Sequence, residues 1–234
     1  MSNSRNLSGI TLAQIAKLID HSLLRPQLDQ AELEQGIADA LKYRMAAASV
    51  KPFDVEFTAH KLEGSEVLTG TVIGFPHGAN TSRVKVFEAI EAMKDGADEL
   101  DMVMNIGRFK SEAYQIVEDD IRAVVEAAHE RNKSVKVIFE IHFMSDDEII
   151  RACEISEKAG ADFVKTSTGY APSGATLEAV RLMRESCGPG VKIKAAGGIR
   201  TLDQLLEYHQ AGADRIATRS SVSILQEAAA RGIK

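Results

Sequence analysis

Two cysteines, Cys153 and Cys187, are all that the 234 residues contain. A chain of this length can bury its own core, so a disulfide framework is unnecessary and both thiols are expected to be free, as in a reducing compartment. No apolar run approaches the roughly 18 residues of a membrane-spanning helix, which argues against a membrane partner. The polar start, Met1 to Ser8, lacks the apolar segment of a signal peptide, so the expected location is cytoplasmic. Positive charge is also in short supply. A net charge of −6 argues against nucleic acid, because neutralising phosphates needs concentrated lysine and arginine. Histidine, cysteine and carboxylates do not cluster at metal-ligand spacing, so neither a metal nor another cofactor is expected. No Pro/Gly/Ser-rich linker or charge block divides the chain, and one domain is expected across residues 1–234, with a short N-terminal extension over about 1–9.

What is present is an internal echo. Gly-Ala-Asp recurs as Gly96-Ala97-Asp98, Gly160-Ala161-Asp162 and Gly212-Ala213-Asp214. Each follows a helical pattern and precedes an apolar run. The glycine suits the left-handed residue that ends a helix, and Ala-Asp makes a short turn into a strand. Eight buried runs can be counted, over 17–22, 46–51, 68–75, 99–105, 135–141, 163–168, 191–196 and 215–220. Helical patterns over 31–43, 83–94, 114–131, 146–158, 177–185 and 202–210 separate them, with Thr81 and Ser145 at N-cap positions. Eight such units in this length predict an α/β fold, a (βα)8 TIM barrel with short loops. An open doubly wound sheet competes, but no Gly-x-Gly-x-x-Gly turn follows any strand.

The echo also aligns charged residues. Three positions past each aspartate stand Asp101, Lys165 and Ala217. Strand alternation around Leu100, Met102 and Met104 sends Asp101 into the barrel, and the same reasoning points Lys165, Ser167 and Lys194 inward. Lys192 reads as a solvated end residue. Burial disfavours an ammonium, and a second ammonium nearby disfavours it again, so such a lysine can supply the free amine that attacks a carbonyl. Asp101 could move protons or keep the second lysine charged. The alternative is a purely structural Lys–Asp–Lys network, although such networks seldom add net stability. Gly197-Gly198 after the seventh strand, with Arg219 and Ser220 after the eighth, suggest a phosphate site. His77, in a loop at the mouth, could carry protons, although a loop histidine more often holds backbone, and Asp20 could orient a lysine or a helix end.

These stretches resemble the deoxyribose-phosphate aldolase family, class I aldolases on a (βα)8 barrel. The likeness is carried by Ile19-Asp20-His21-Ser22-Leu23-Leu24, Gly74-Phe75-Pro76-His77-Gly78, Leu100-Asp101-Met102-Val103, Val164-Lys165-Thr166-Ser167-Thr168-Gly169 and Lys194-Ala195-Ala196-Gly197-Gly198-Ile199-Arg200, in family order. The resemblance implies reversible cleavage of 2-deoxyribose 5-phosphate to acetaldehyde and glyceraldehyde 3-phosphate. It implies that Lys165 forms the imine, that Lys194 lowers its pKa, that Asp101 works with Lys194 in proton transfer, and that Asp20 supports the lysines. Thr168, Gly169, Gly197, Gly198, Arg219 and Ser220 fall at substrate and phosphate positions. Family members are commonly homodimers or homotetramers.

Some positions depart from the family pattern. His142 follows Glu140-Ile141, and alternation from Lys136 places it inward at the mouth. Ser49 replaces a common cysteine, Tyr170 stands where some members have lysine, and Ala217 and Arg219 replace a usual glycine and serine. The imine residues are untouched, while the acceptor pocket is altered. An aldolase with another acceptor or donor aldehyde, a silent sugar-phosphate binder and an isomerase on the same fold therefore remain open.

Overall fold

A computed structural model describes residues 9–234. Apart from Gly9, the expected N-terminal extension lies outside the described residues. Eight strands alternate with helices: β1 (Ile19–Leu23), β2 (Ala47–Val50), β3 (Leu68–Ile73), β4 (Glu99–Val103), β5 (Ser134–Ile138), β6 (Phe163–Lys165), β7 (Lys192–Ala196) and β8 (Arg215–Thr218). The helices are α1 (Leu12–Lys17), α2 (Gln30–Tyr43), α3 (Val55–Leu62), α4 (Ser82–Lys94), α5 (Ile106–Lys110), α6 (Tyr114–His129), α7 (Asp146–Lys158), α8 (Leu177–Ser186), α9 (Leu202–Gln210) and α10 (Ser221–Ala230). The strands form a closed barrel in sequence order, and β1 pairs in parallel with both β2 and β8. The eight expected runs and the (βα)8 class are therefore observed.

Several boundaries differ from the sequence reading: the third, fourth, fifth and eighth strands stop at Ile73, Val103, Ile138 and Thr218, short of the expected ends. Residue 17 belongs to α1, not to the first strand, because Thr11 caps a helix through a capping box with Gln14. The sixth strand stops at Lys165 rather than 168. Beyond it, the Thr166 hydroxyl is tied to Ala196, 3.1 Å from its carbonyl and 3.0 Å from its amide. Ser145 caps α7 as expected, whereas Thr81 occupies the N-cap of α4 without a side-chain bond.

The Gly-Ala-Asp echo has a common physical basis. Gly96, Gly160 and Gly212 have φ of 102°, 89° and 120°, in the left-handed region where a Cβ is costly. Each aspartate then grips the preceding strand. Asp98, Asp162 and Asp214 carboxylates accept the amides of Thr69, Val135 and Ile193 at 3.0, 2.8 and 2.9 Å. Their own amides donate back to the same three residues' carbonyls. Each copy thus sets the register of one strand against its neighbour.

Leu100, Met102, Val164 and Ile193 are fully buried in the apolar layer of the core. Burying each contributes about 1.5–3 kcal/mol. That layer stabilises the barrel, and it leaves the inner face of the strands available for polar side chains.

Candidate active site

Alternation delivers charged side chains into the barrel from several strands. Asp101 on β4, Lys165 on β6 and Lys194 on β7 are each at most 2% exposed. Both ammonium nitrogens lie 2.7 Å from one oxygen, Asp101 Oδ2. Lys194 also contacts Asp20 Oδ2 at 2.5 Å. The residues singled out as imine and proton-transfer candidates are thus in direct contact. Lys192 is exposed at the opposite end of its strand, against the Phe163 ring.

The charged cluster extends further than the sequence reading recognised. Lys136 on β5 is 1% exposed and contacts Glu99 Oε2 at 2.6 Å and Asp101 Oδ1 at 3.3 Å. Arg215 donates to Asp20 Oδ1 and, at 3.1 Å, to Glu99 Oε1. The signal was available. Glu99 stands two residues before Asp101 and Arg215 two before Ala217, so period-2 alternation puts both on the inner face.

These contacts govern ionisation. Burial alone would raise the Asp101 pKa, but the ammoniums of Lys165, Lys194 and Lys136 overcome it and hold the carboxyl well below its usual range. Lys165 moves down to about 8: burial disfavours its charge most, Asp101 opposes that, and Lys194 and Lys136 add to it. Lys136 moves the other way. Burial would lower it, but Asp101, Glu99 and Asp20 together raise it.

Above the lysines opens a cavity of about 340 Å³, with Lys165 and Lys194 in its wall. Its lining also includes Ser49, Thr168, Gly169, Tyr170, Gly197, Gly198, Ala217, Arg219 and Ser220. Gly197 and Gly198 have φ of 92° and 87°. Gly197 presses on Gly174 so closely that an added Cβ would lie 2.8 Å from the Gly174 Cα. Ser220 opens α10, whose first turn lacks a side-chain cap. Such an end presents unpaired amides to an anion. Arg25 and Arg200 join Arg219 at the rim, and Arg25 is held by Glu32 at 2.6 Å. Sequence reasoning passed over Arg25, which lies two residues beyond the end of β1.

The loop after β6 is fastened by a buried carboxylate. Glu140, 3% exposed, accepts the hydroxyl of Thr168 and, at 3.3 Å, its amide. The Thr168 oxygen in turn accepts the Tyr170 amide at 3.0 Å. The Tyr170 hydroxyl donates to the Leu24 carbonyl at 2.8 Å, and its ring meets Phe75 edge-on. Tyr170 therefore bridges the loops that follow β6 and β1.

His142 does not face inward. β5 ends at Ile138, and Glu140 takes a left-handed conformation (φ 60°) that turns the chain into a 3-10 turn, Ile141–Phe143. Alternation lapses where the strand ends, so His142 is exposed, 2.7 Å from Ser173 Oγ and outside the cavity lining. His77 is likewise exposed and outside it. Among the described residues no group of side chains is arranged to hold a metal ion, and no helix is long and apolar enough to cross a membrane.

A (βα)8 barrel with a buried lysine of lowered pKa in the wall of its cavity has the make-up of a class I aldolase. Comparison with known proteins gives the family. The model described as DeoC/LacD family aldolase matches residues 14–225, and the chain belongs to that family. It is 48% identical over 213 residues to a deoxyribose-phosphate aldolase of Clostridium perfringens, covering 91% of this chain and 95% of the relative. It is also 48% identical to one from Thermococcus kodakarensis, over 92% of this chain and 97% of the relative. Among solved structures, the tetrameric deoxyribose phosphate aldolase of Aeropyrum pernix superimposes with a TM-score of 0.88 at 31% identity, covering 94% of both chains.

Proposed function

We propose that this chain is a class I aldolase that reversibly cleaves 2-deoxyribose 5-phosphate to acetaldehyde and glyceraldehyde 3-phosphate. One observation carries the reading: Lys165 and Lys194, both buried, share a single oxygen of Asp101 beside a cavity ringed by arginines. A silent sugar-phosphate binder would gain nothing from this arrangement, since buried charges cost more than they return. An isomerase would need a carboxylate or histidine base facing the cavity, and His77 and His142 lie outside it.

The chemistry follows from the nitrogen. Neutral Lys165 attacks the C1 aldehyde of the open-chain sugar, and loss of water gives an iminium. Removal of the C3 hydroxyl proton then breaks the C2–C3 bond, and the electron pair moves toward the iminium to form an enamine. Glyceraldehyde 3-phosphate departs. Protonation of the enamine at C2 and hydrolysis release acetaldehyde and restore the amine. Asp101, bridging both lysines, is placed to accept and return protons with Lys194, directly or through a water. Asp20 holds Lys194 in position through their contact at 2.5 Å. The phosphate fits the far end of the cavity, against Gly197, Gly198, Ser220 and the first turn of α10, with Arg219 as counter-charge. Thr168 and Gly169 border the sugar, and Ser49 and Tyr170 shape the walls. No cofactor enters this sequence. A homodimer or homotetramer belongs to the same reading.

Mass spectrometry after incubation with acetaldehyde and borohydride tests the proposal. One ethyl adduct on Lys165 is expected, absent in Lys165→Ala, together with release of glyceraldehyde 3-phosphate from 2-deoxyribose 5-phosphate. Trapping with pyruvate or dihydroxyacetone but not acetaldehyde would indicate another donor, and no trapping at all would sink the imine.

A further inference from the structure

The charged groups inside the barrel can be counted strand by strand. β1 brings Asp20, β4 brings Glu99 and Asp101, β5 brings Lys136, β7 brings Lys194 and β8 brings Arg215, all joined by contacts of 3.9 Å or less. β2 and β3 contribute no ionisable residue. His21 on β1 is engaged with Ser221, and Glu140 beyond β5 is engaged with Thr168. Arg25, Arg200, Arg219 and Tyr170 stand at the rim of the cavity. Setting Lys165 aside, three carboxylates therefore face three cations. This contact-linked cluster is electroneutral when Lys165 is an amine and carries one surplus positive charge when it is an ammonium.

We propose that Lys136 and Glu99 are positioning residues for the reacting lysine, forming with Arg215 a second charge layer that leaves Lys165 as the one basic group without a counter-charge of its own. Lys136 engages Asp101 through Oδ1, so the carboxylate is not free to serve Lys165 alone. Glu99 supplies the negative charge that Lys136 and Arg215 would otherwise take from Asp101 and Asp20. Removing Lys136 releases Asp101 to hold Lys165 as an ammonium. Removing Glu99 has the opposite effect, drawing Asp101 toward Lys136 and favouring the amine. Neither residue lines the cavity, so each acts through Asp101 and not on substrate.

The inference rests on Lys165 being the imine-forming lysine, and its test separates the two. The rate of ethyl-adduct formation on Lys165 with acetaldehyde and cyanoborohydride is measured against pH for the wild type, Lys136→Met, Glu99→Gln and the double variant. The midpoint is expected to rise by about one pH unit or more in Lys136→Met, the size of one nearby charge, with about tenfold slower trapping below it. It is expected to fall in Glu99→Gln and to return toward the wild-type value in the double variant. A merely structural role would reduce the extent of trapping without moving the midpoint. Unmoved midpoints overturn the inference and leave the imine intact. An absence of adduct in the wild type overturns both. If Lys136→Met does not fold, Glu99→Gln decides alone: a lowered midpoint supports the charge layer, and an unmoved or raised one refutes it.

Discussion

Lys165 and Lys194 sit on the same oxygen atom, each 2.7 Å from Asp101 Oδ2. Two ammoniums so placed repel each other, and only Lys194 has a second carboxylate, Asp20, within reach. The proton is therefore more easily lost from Lys165. Its pKa of about 8 leaves a minority of free amine at neutral pH, with the fraction falling about tenfold for each pH unit below the midpoint.

Lys194→Met removes that repulsion. Lys165 then keeps its proton and pairs with Asp101. Adduct formation with acetaldehyde at neutral pH is expected to slow by about tenfold or more, with recovery at higher pH. A pH series on the variant checks this, and loss of trapping at every pH would mean that Lys194 acts otherwise.

Asp101→Asn separates imine formation from proton transfer. Asp101 is the group that raises the Lys165 pKa, so its neutralisation favours the amine and trapping should persist. Turnover of 2-deoxyribose 5-phosphate should nevertheless fall by about 10² to 10⁴, the range for loss of a general acid–base group. Steady-state rates beside adduct yields make the comparison.

Arg219→Ser addresses the acceptor end. Arg219 is exposed at the rim and is the proposed counter-charge for phosphate. The kcat/KM for glyceraldehyde 3-phosphate in the synthetic direction should drop about tenfold, while that for unphosphorylated glyceraldehyde stays level. Equal losses on both substrates would place the arginine in a structural role.

His21 provides a test of stability. Burial lowers its pKa from 6.5 to about 4, against a small opposing pull from Asp39, and its Nδ1 lies 2.8 Å from Ser221 Oγ. Between those pH values the unfolded chain binds a proton that the folded chain does not. Stability therefore falls as pH drops through this window, by about 3 kcal/mol for this residue. Urea denaturation of His21→Asn should show a correspondingly shallower loss between pH 6.5 and 4.

The barrel was legible because its signals are local and repeated. Gly96, Gly160 and Gly212 end helices, and Asp98, Asp162 and Asp214 start the strands that follow, so the repeat exposes the βα unit directly. Asp101, Lys165 and Lys194 were legible for a related reason: a charge inside an apolar alternating run has few tolerable places to point. Lys136, Glu99 and Arg215 obey the same alternation but lie at or near strand starts, where a charge also reads as a solvated end. His142 was misread because alternation was extended past Ile138, beyond the last residue with strand geometry. Arg25 and the Tyr170–Leu24 bridge depend on the approach of loops 146 residues apart, and no short-range pattern encodes that.

The charged interior and the arginine rim differ in one further respect, their access to dissolved ions. Lys194, Lys136 and Asp101 are at most 2% exposed and lie within a few ångströms of their counter-charges, much less than the roughly 8 Å over which physiological salt screens. Arg200 and Arg219 are exposed. Raising ionic strength should therefore weaken capture of a phosphorylated aldehyde while leaving the protonation of Lys165 nearly unchanged, so that salt separates the binding of one end of the substrate from the chemistry at the other.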